Sequence, residues 1–456
     1  MSSISVLTRA SHIISLPTTA TPSISLKMLL PFDLWNRCLY EAESDEEAED
    51  DADDDEDAAV AYNLYLRRQT SRQHAPVFRH SRYRKTYYRN LHGAGRRLRD
   101  RRIPRAATLS PSSSPWQHLY DSGNEQALVT ATGLDHAAFS HLLSEFEPLY
   151  HAHTVDKDTG DIRPRKARGG GRPRLLSAAG CLGLTLMWTR TRGAEWHLAI
   201  VFGTTGTPTS FWIRFGRRIL VTALRNLPEG LISLPTEAKL EEYVAAIAAR
   251  HSNLGTERVW GAMDGLKLLL QKSGDFVTQN MYYNGWTCDH YVTNLFIFAP
   301  DGTIALSVTN CPGAVHDSTI AGLGNVYEKI YDLYERHGVK IVVDSAFASE
   351  TNSSLIKSAQ STASANTVRE AAILLEATSM RQSSEWGMRS LQGSFPRLKD
   401  RFIYEERGDR KLMLEMVARL YNFRTRTVGI SQIQSVYMPW LDKSAWGVFG
   451  INPYAL

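Results

Sequence analysis

The 456-residue sequence is poor in cysteine and lacks long apolar runs. Its four cysteines, Cys38, Cys181, Cys288 and Cys311, are scattered and form no disulfide framework, which points to a reducing intracellular compartment. The best uninterrupted apolar stretch, Cys181 to Trp188, is far shorter than the roughly 20 residues that cross a bilayer, so no membrane partner is expected. Basic residues are missing altogether from Glu41–Asp57, where thirteen carboxylates are crowded together.

That local absence governs how the charge is read. The formal net charge is only +4, with 52 Lys and Arg against 48 Asp and Glu. Without the acidic block, 35 acids remain, and the rest of the chain carries a surplus of 17 positive charges. Residues 67–105 alone hold fourteen Arg or Lys, interleaved with Tyr83, Tyr87, Tyr88 and His92. An acidic block followed by a basic one suggests a polyanionic partner and equally suits a disordered, self-neutralising arm; the two are compatible. Residues 1–27, rich in Ser and Thr and followed by Met28, read as a weak transit peptide or, preferably, as the product of an upstream start codon.

Periodicity divides the remainder. Order is expected to begin near Ser122, after a Ser/Pro tract, so residues 1–118 are assigned to a disordered acidic and basic arm. Helical spacing covers Glu125 to Tyr150, and a polar, basic loop runs from Thr154 to Arg174. Two further helical patterns, Ala194 to Phe202 and Phe211 to Leu224, flank a Gly/Thr turn in a helix-turn-helix shape. The second carries Arg214, Arg217 and Arg218, which makes residues 119–255 a candidate DNA-binding region, with a plain helical hairpin as the alternative. Within the loop, Gly171-Arg172-Pro173-Arg174 is similar to the core of an AT-hook, although a flexible contact of Arg172 and Arg174 with phosphate is the simpler expectation.

From Arg258 the pattern turns to strands: Arg258 to Met263, ending at Asp264; Tyr291 to Ala299; a hairpin turn at Asp301-Gly302; and Thr303 to Val308. A helix over Ser318 to Arg336, a strand over Val339 to Val343 ending at Asp344, and helices from Thr367 to Arg424 complete a mixed α/β domain over 256–428, with a tail over 429–456. Strand-end carboxylates are held rigidly at the mouth of a cleft, and in a sheet ordered 3-2-1-4 the strands of Asp264 and Asp344 are neighbours. A third carboxylate would come from the adjacent helix, with Glu385 the best placed. Three convergent carboxylates form a hard-oxygen site for two magnesium or manganese ions and for phosphodiester chemistry. A zinc site built from Cys288, His290, Cys311 and His316 lacks knuckle spacing and is disfavoured. Tyr283 and Trp286 are expected to be turn and packing residues. Lys399 is either a phosphate contact or part of a solvated face.

Five ordered blocks then carry a family resemblance: Met263-Asp264-Gly265; Asn280 to Trp286 with Asp289-His290-Tyr291; Pro312 to Ser318; Val342 to Phe347; and Arg381 to Phe402. From Gly261 to about Tyr421 the chain resembles DDE-type transposases of the Harbinger kind and their host-domesticated relatives. The resemblance implies a ribonuclease-H-like fold in which Asp264, Asp344 and a helix Glu bind two divalent metals. It further implies DNA as the partner and a separate Myb-like DNA-binding protein (no clear Myb-type tryptophan repeat occurs here). Homo-oligomers are a further expectation, and the basic runs together with DNA chemistry point to a nuclear location, otherwise cytoplasmic. The usual Glu-x-x-Phe-x-x-Leu-Lys pattern places Gln392 at the acid position, seven residues after Glu385 and on roughly the same helix face. If Gln392 is the true equivalent, the triad is broken and the chain is a non-catalytic adaptor. Asp317 is expected to cap a helix or position substrate, with auxiliary metal contact as the alternative.

Overall fold

The computed structural model describes residues 103–155, 161–165, 173–347, 353–358, 365, 367–403 and 407–441. The acidic block, nearly all of the basic run, and Arg172 lie outside these residues.

Helical structure starts earlier than Ser122. The first helix, α1 (Pro115–Asp121), is capped by Ser114, whose hydroxyl accepts from Gln117 N at 3.2 Å. Trp116 on this helix is buried and stacks on Phe202 with centroids 5.1 Å apart. Its burial is the physical reason order reaches back through the Ser/Pro tract. Helices α2 (Glu125–Thr132) and α3 (His136–Ala152) follow. The expected basic loop contains a short antiparallel ladder, β1 (His153–Val155) with β2 (Ile162–Pro164), because Val155 and Ile162 pack on the adjacent core.

The helix-turn-helix shape is present as α5 (Trp196–Val201) and α6 (Gly206–Asn226), after α4 (Ala178–Arg190). Trp212, Phe215, Ile219, Leu220 and Leu224 bury one broad stripe of α6, which packs against α3 and α4. Helices α7 (Glu237–Ala248) and α8 (Ser252–Thr256) lead into the sheet.

The sheet is built from β3 (Val259–Leu269), β4 (Tyr283–Asn284), β5 (Asp289–Phe298), β6 (Ile304–Pro312), β7 (Lys340–Val343) and β8 (Leu355–Lys357). The main order is β6-β5-β3-β7-β8, with β5 antiparallel to β3 and β6, and β7 parallel to β3 and β8. This is the ribonuclease-H-like order, so the expected α/β architecture stands. The almost continuously buried β5 reads as a central strand covered on both faces. At the β5–β6 turn, Asp301 Oδ1 accepts from Thr303 N at 2.9 Å and from its hydroxyl at 2.7 Å.

Short α9 (Phe276–Tyr282) precedes β4, while α10 (Asp317–Leu323) and α11 (Val326–His337) divide the expected single helix. Asn325 there has a φ of 53°, a left-handed conformation that breaks helical continuity. The 27-residue α12 (Val368–Ser394) begins with a capping box between Thr367 and Glu370 and crosses β3, β5 and β7. Then α13 (Arg407–Thr427) covers β6 and also packs on α6, and α14 (Gln432–Tyr437) packs on α12. One continuous hydrophobic core joins the helical region to the sheet, from Trp116 to Met438. Among the described residues no helix is long and apolar enough to cross a membrane.

Candidate active site

Asp264 is not at a strand end. β3 runs five residues past it, because its pairing with β5 continues through Asp264↔Phe296 to Leu269↔Tyr291. Its other neighbour, β7, stops earlier: Met263 is matched in parallel by Val343, and Asp344 follows immediately. The sheet therefore opens on the β7 side at the level of Asp264, and the two aspartates occupy the next register position on adjacent strands. Each carboxylate accepts from the following backbone N–H, Asp264 Oδ1 from Gly265 N at 2.7 Å and Asp344 Oδ1 from Ser345 N at 2.8 Å.

Asp317, in the first turn of α10, approaches from a third element. Its N-cap is His316, so Asp317 does not cap the helix as expected. A Cβ built on Gly265 would lie 2.2 Å from Asp317 Oδ2, so the carboxylate fills the space that a side chain at 265 would occupy. Asp317 Oδ1 is buried without a hydrogen-bond partner. Burial raises the Asp264 carboxyl to about 6; Asp344 and Asp317 add to the rise, while the Gly265 N–H and Arg381 oppose it. Burial also raises Asp317, against Lys267 and His316.

Glu385 reaches the same cleft from α12, but Arg381, one turn earlier, stands between. Arg381 Nη2 is 3.0 Å from Glu385 Oε1, and its Nη1 is 3.6 Å from Asp264 Oδ2. Arg389 approaches the other Glu385 oxygen at 3.5 Å. Arg381 was not singled out in the sequence, although its spacing of four residues from Glu385 on a helix is the signal that would have found it. Gln392 lies two turns beyond Glu385, roughly 10 Å along the axis. Among the described residues no three His, Cys, Asp or Glu side chains gather as a metal-binding group, which applies to the carboxylates and to Cys288, His290, Cys311 and His316 alike.

These groups fit a hard divalent cation in donor type: carboxylate oxygens only, one of them orphaned and buried, and two acids whose ionised forms are disfavoured by burial. Asp264, Asp344 and Asp317 are the residues that would hold it, although as placed they do not gather as a three-ligand group. Glu385 joins them only if Arg381 releases it.

The other expected contacts separate. Arg217 is buried, pairs with Asp409 of α13 at 2.8 Å, and stacks over Trp188 at 4.8 Å, so it faces the core rather than a nucleic acid. Arg218 lies 3.4 Å from Asp161 and 3.9 Å from Asp409. Arg174 donates to the carbonyls of Tyr150 and His153. Arg214 and Lys399 are exposed. Trp286, expected to pack, is instead 93% exposed on a turn where Asn284 Oδ1 accepts from Thr287 N at 3.1 Å. The turn is set by this Asn284 contact and leaves the indole without a packing partner among the described residues.

Residues 263–422 match the family model for the DDE superfamily endonuclease. No curated protein and no solved structure matches the chain. The matched segment begins at Met263, one residue before Asp264, and spans Asp317, Asp344 and Glu385, so the geometry and the match bear on the same residues. Over residues 263–422 the chain is therefore similar to the DDE superfamily endonucleases.

Proposed function

We propose that the protein is a divalent-metal-dependent DNA endonuclease and strand transferase of the Harbinger transposase type. The observation that carries this is the parallel β3–β7 register, which sets Asp264 and Asp344 side by side and brings the buried Asp317 carboxylate against Gly265. Two Mg2+ or Mn2+ ions, if bound by these carboxylates, would supply activation of the attacking water and charge stabilisation of the leaving oxygen in phosphodiester cleavage. Asp264 and Asp344 hold their carboxylates on a rigid sheet edge, and Asp317 closes the site from α10. Glu385 completes it from α12, and Arg381, once it yields Glu385, presents a guanidinium to the scissile phosphate. In strand transfer, the freed 3′ hydroxyl attacks a second DNA at the same site. DNA as substrate and a nuclear location follow from this chemistry.

A second reading, a domesticated adaptor that has lost catalysis, is favoured by one observation: Glu385 is held by two arginines, Arg381 at 3.0 Å and Arg389 at 3.5 Å. Nicking of supercoiled DNA with Mg2+ or Mn2+ separates the two. The nuclease reading requires metal-dependent nicking that Asp264→Asn abolishes while DNA binding persists. Nicking unchanged in Asp264→Asn, or none in the wild type, sinks it. Restoration of activity by Gln392→Glu alone would place the acid at the commoner position.

A further inference from the structure

Away from the carboxylates, the start of α6 borders an open cavity of about 910 Å³. Its wall includes Arg105, Arg165, Arg174, Thr207, Phe211 and Phe215, and among the described residues no carboxylate lines it. The arginines have neutral partners where they have partners at all. Arg105 donates to the carbonyls of Gly203 and of Leu109, the latter at 3.4 Å. Arg174 donates to the carbonyls of Tyr150 and His153 and lies over the Tyr150 ring at 4.2 Å and the Phe215 ring at 5.1 Å. Arg165 is exposed. By contrast, Arg192, Arg217 and Arg225 are each neutralised by a carboxylate, at 2.9, 2.8 and 2.6 Å. Three positive charges thus converge on a concave surface without counter-ions among the described residues, an unfavourable arrangement that a polyanion relieves.

The floor adds a second kind of contact. Phe211 is 44% exposed and stacks near Phe215 with ring planes 14° apart. A half-exposed ring between uncompensated guanidiniums is the pairing of features that binds a single-stranded nucleic acid, charge along the backbone and a face for a base. An acidic peptide would satisfy the charges but leave the ring unused.

We propose that this cavity is a binding groove for single-stranded DNA, in which Arg105 and Arg165 contact phosphates and a base stacks on Phe211. It deepens the DNA-acting function above, supplying a hold on an unpaired strand outside the carboxylate cleft. The contact is made by the groove at the start of α6 and not by the inward-facing Arg217 that the helix-turn-helix pattern suggested.

The test is fluorescence polarisation of a labelled single-stranded oligonucleotide with the full chain, in EDTA and over a series of salt concentrations. In the Arg105→Gln/Arg165→Gln variant, the slope of log affinity against log salt should fall by roughly 1.4, two phosphates' worth for a single strand. Phe211→Ala should weaken binding about tenfold with an unchanged slope, and Phe211→Trp should restore it. Arg336→Gln, an exposed arginine on α11, controls for lost charge. Affinities and slopes of the groove variants matching this control overturn the proposal, as does groove-dependent binding of a peptide spanning residues 41–57 while oligonucleotide binding is insensitive to the groove. Mg2+-dependent nicking of supercoiled DNA by the wild type is read separately, so failure of the groove is distinguishable from failure of the nuclease.

Discussion

Gly265 and Asp317 share one space: a Cβ at position 265 would stand 2.2 Å from Asp317 Oδ2. Glycine after the first aspartate is thus a requirement of the third element's approach. Gly265→Ala should push the α10 carboxylate out of the cleft and, as an overpacking change, destabilise the fold by about 1–3 kcal/mol. Chemical denaturation measures the second effect, and Mn2+ titration the first; unchanged values of both would show that α10 adjusts freely.

Asp264 should make stability pH-dependent. Its folded carboxyl, raised to about 6, holds a proton that the unfolded chain releases near its ordinary value of 3.8. Between those values the folded state binds more protons, so the contribution is full below pH 4 and is lost as pH rises towards 6. The metal-free protein should lose up to roughly 3 kcal/mol across that window from this group. Asp264→Asn should flatten that part of the profile and raise the metal-free melting temperature at pH 7.

Arg381 should compete with metal. Its guanidinium lies between Asp264 and Glu385, at 3.6 and 3.0 Å, and serves as their counter-ion. Arg381→Gln should lower the metal-free melting temperature at neutral pH yet tighten Mn2+ binding several-fold, seen as a larger stabilisation by MnCl2. Equal shifts in wild type and variant would mean that the guanidinium does not obstruct the site.

The joint between the helical region and the α/β domain should depend on Arg217. Its side chain is 5% exposed and pairs with Asp409 at 2.8 Å. Arg217→Ala leaves that carboxylate with only the more distant Arg218, at 3.9 Å, and should cost about 1–3 kcal/mol. Arg214→Ala, on the exposed face of the same helix, should change stability by no more than about 0.5 kcal/mol. Comparable losses in the two variants would contradict the buried role of Arg217.

Much of the α/β domain was legible before any coordinates. The apolar run Val292 to Phe298, the Asp301-Gly302 turn and the strand before Asp344 are local signals, set by side-chain pattern and turn chemistry. The positions of Asp264 and Asp344 on neighbouring strands followed from strand order. Less legible were features made by partners distant in sequence. Trp116 extends order into the Ser/Pro tract because Phe202 stacks on it, and Arg217 turns inward because Asp409 lies 192 residues away. Neither shows in local periodicity.

By itself the sequence determined the α/β class, the order of the strands' apolar patterns, and the candidacy of Asp264, Asp344, Asp317 and Glu385, since each depends on residue type and nearby spacing. Only the tertiary structure decided that β3 runs on past Asp264, that Asp317 fits over Gly265, and that Arg381 separates Asp264 from Glu385. Those outcomes depend on where one element stops beside another, and on which charge enters a low-dielectric cleft. They are set by packing between residues 52 to 117 positions apart, beyond the reach of any local pattern.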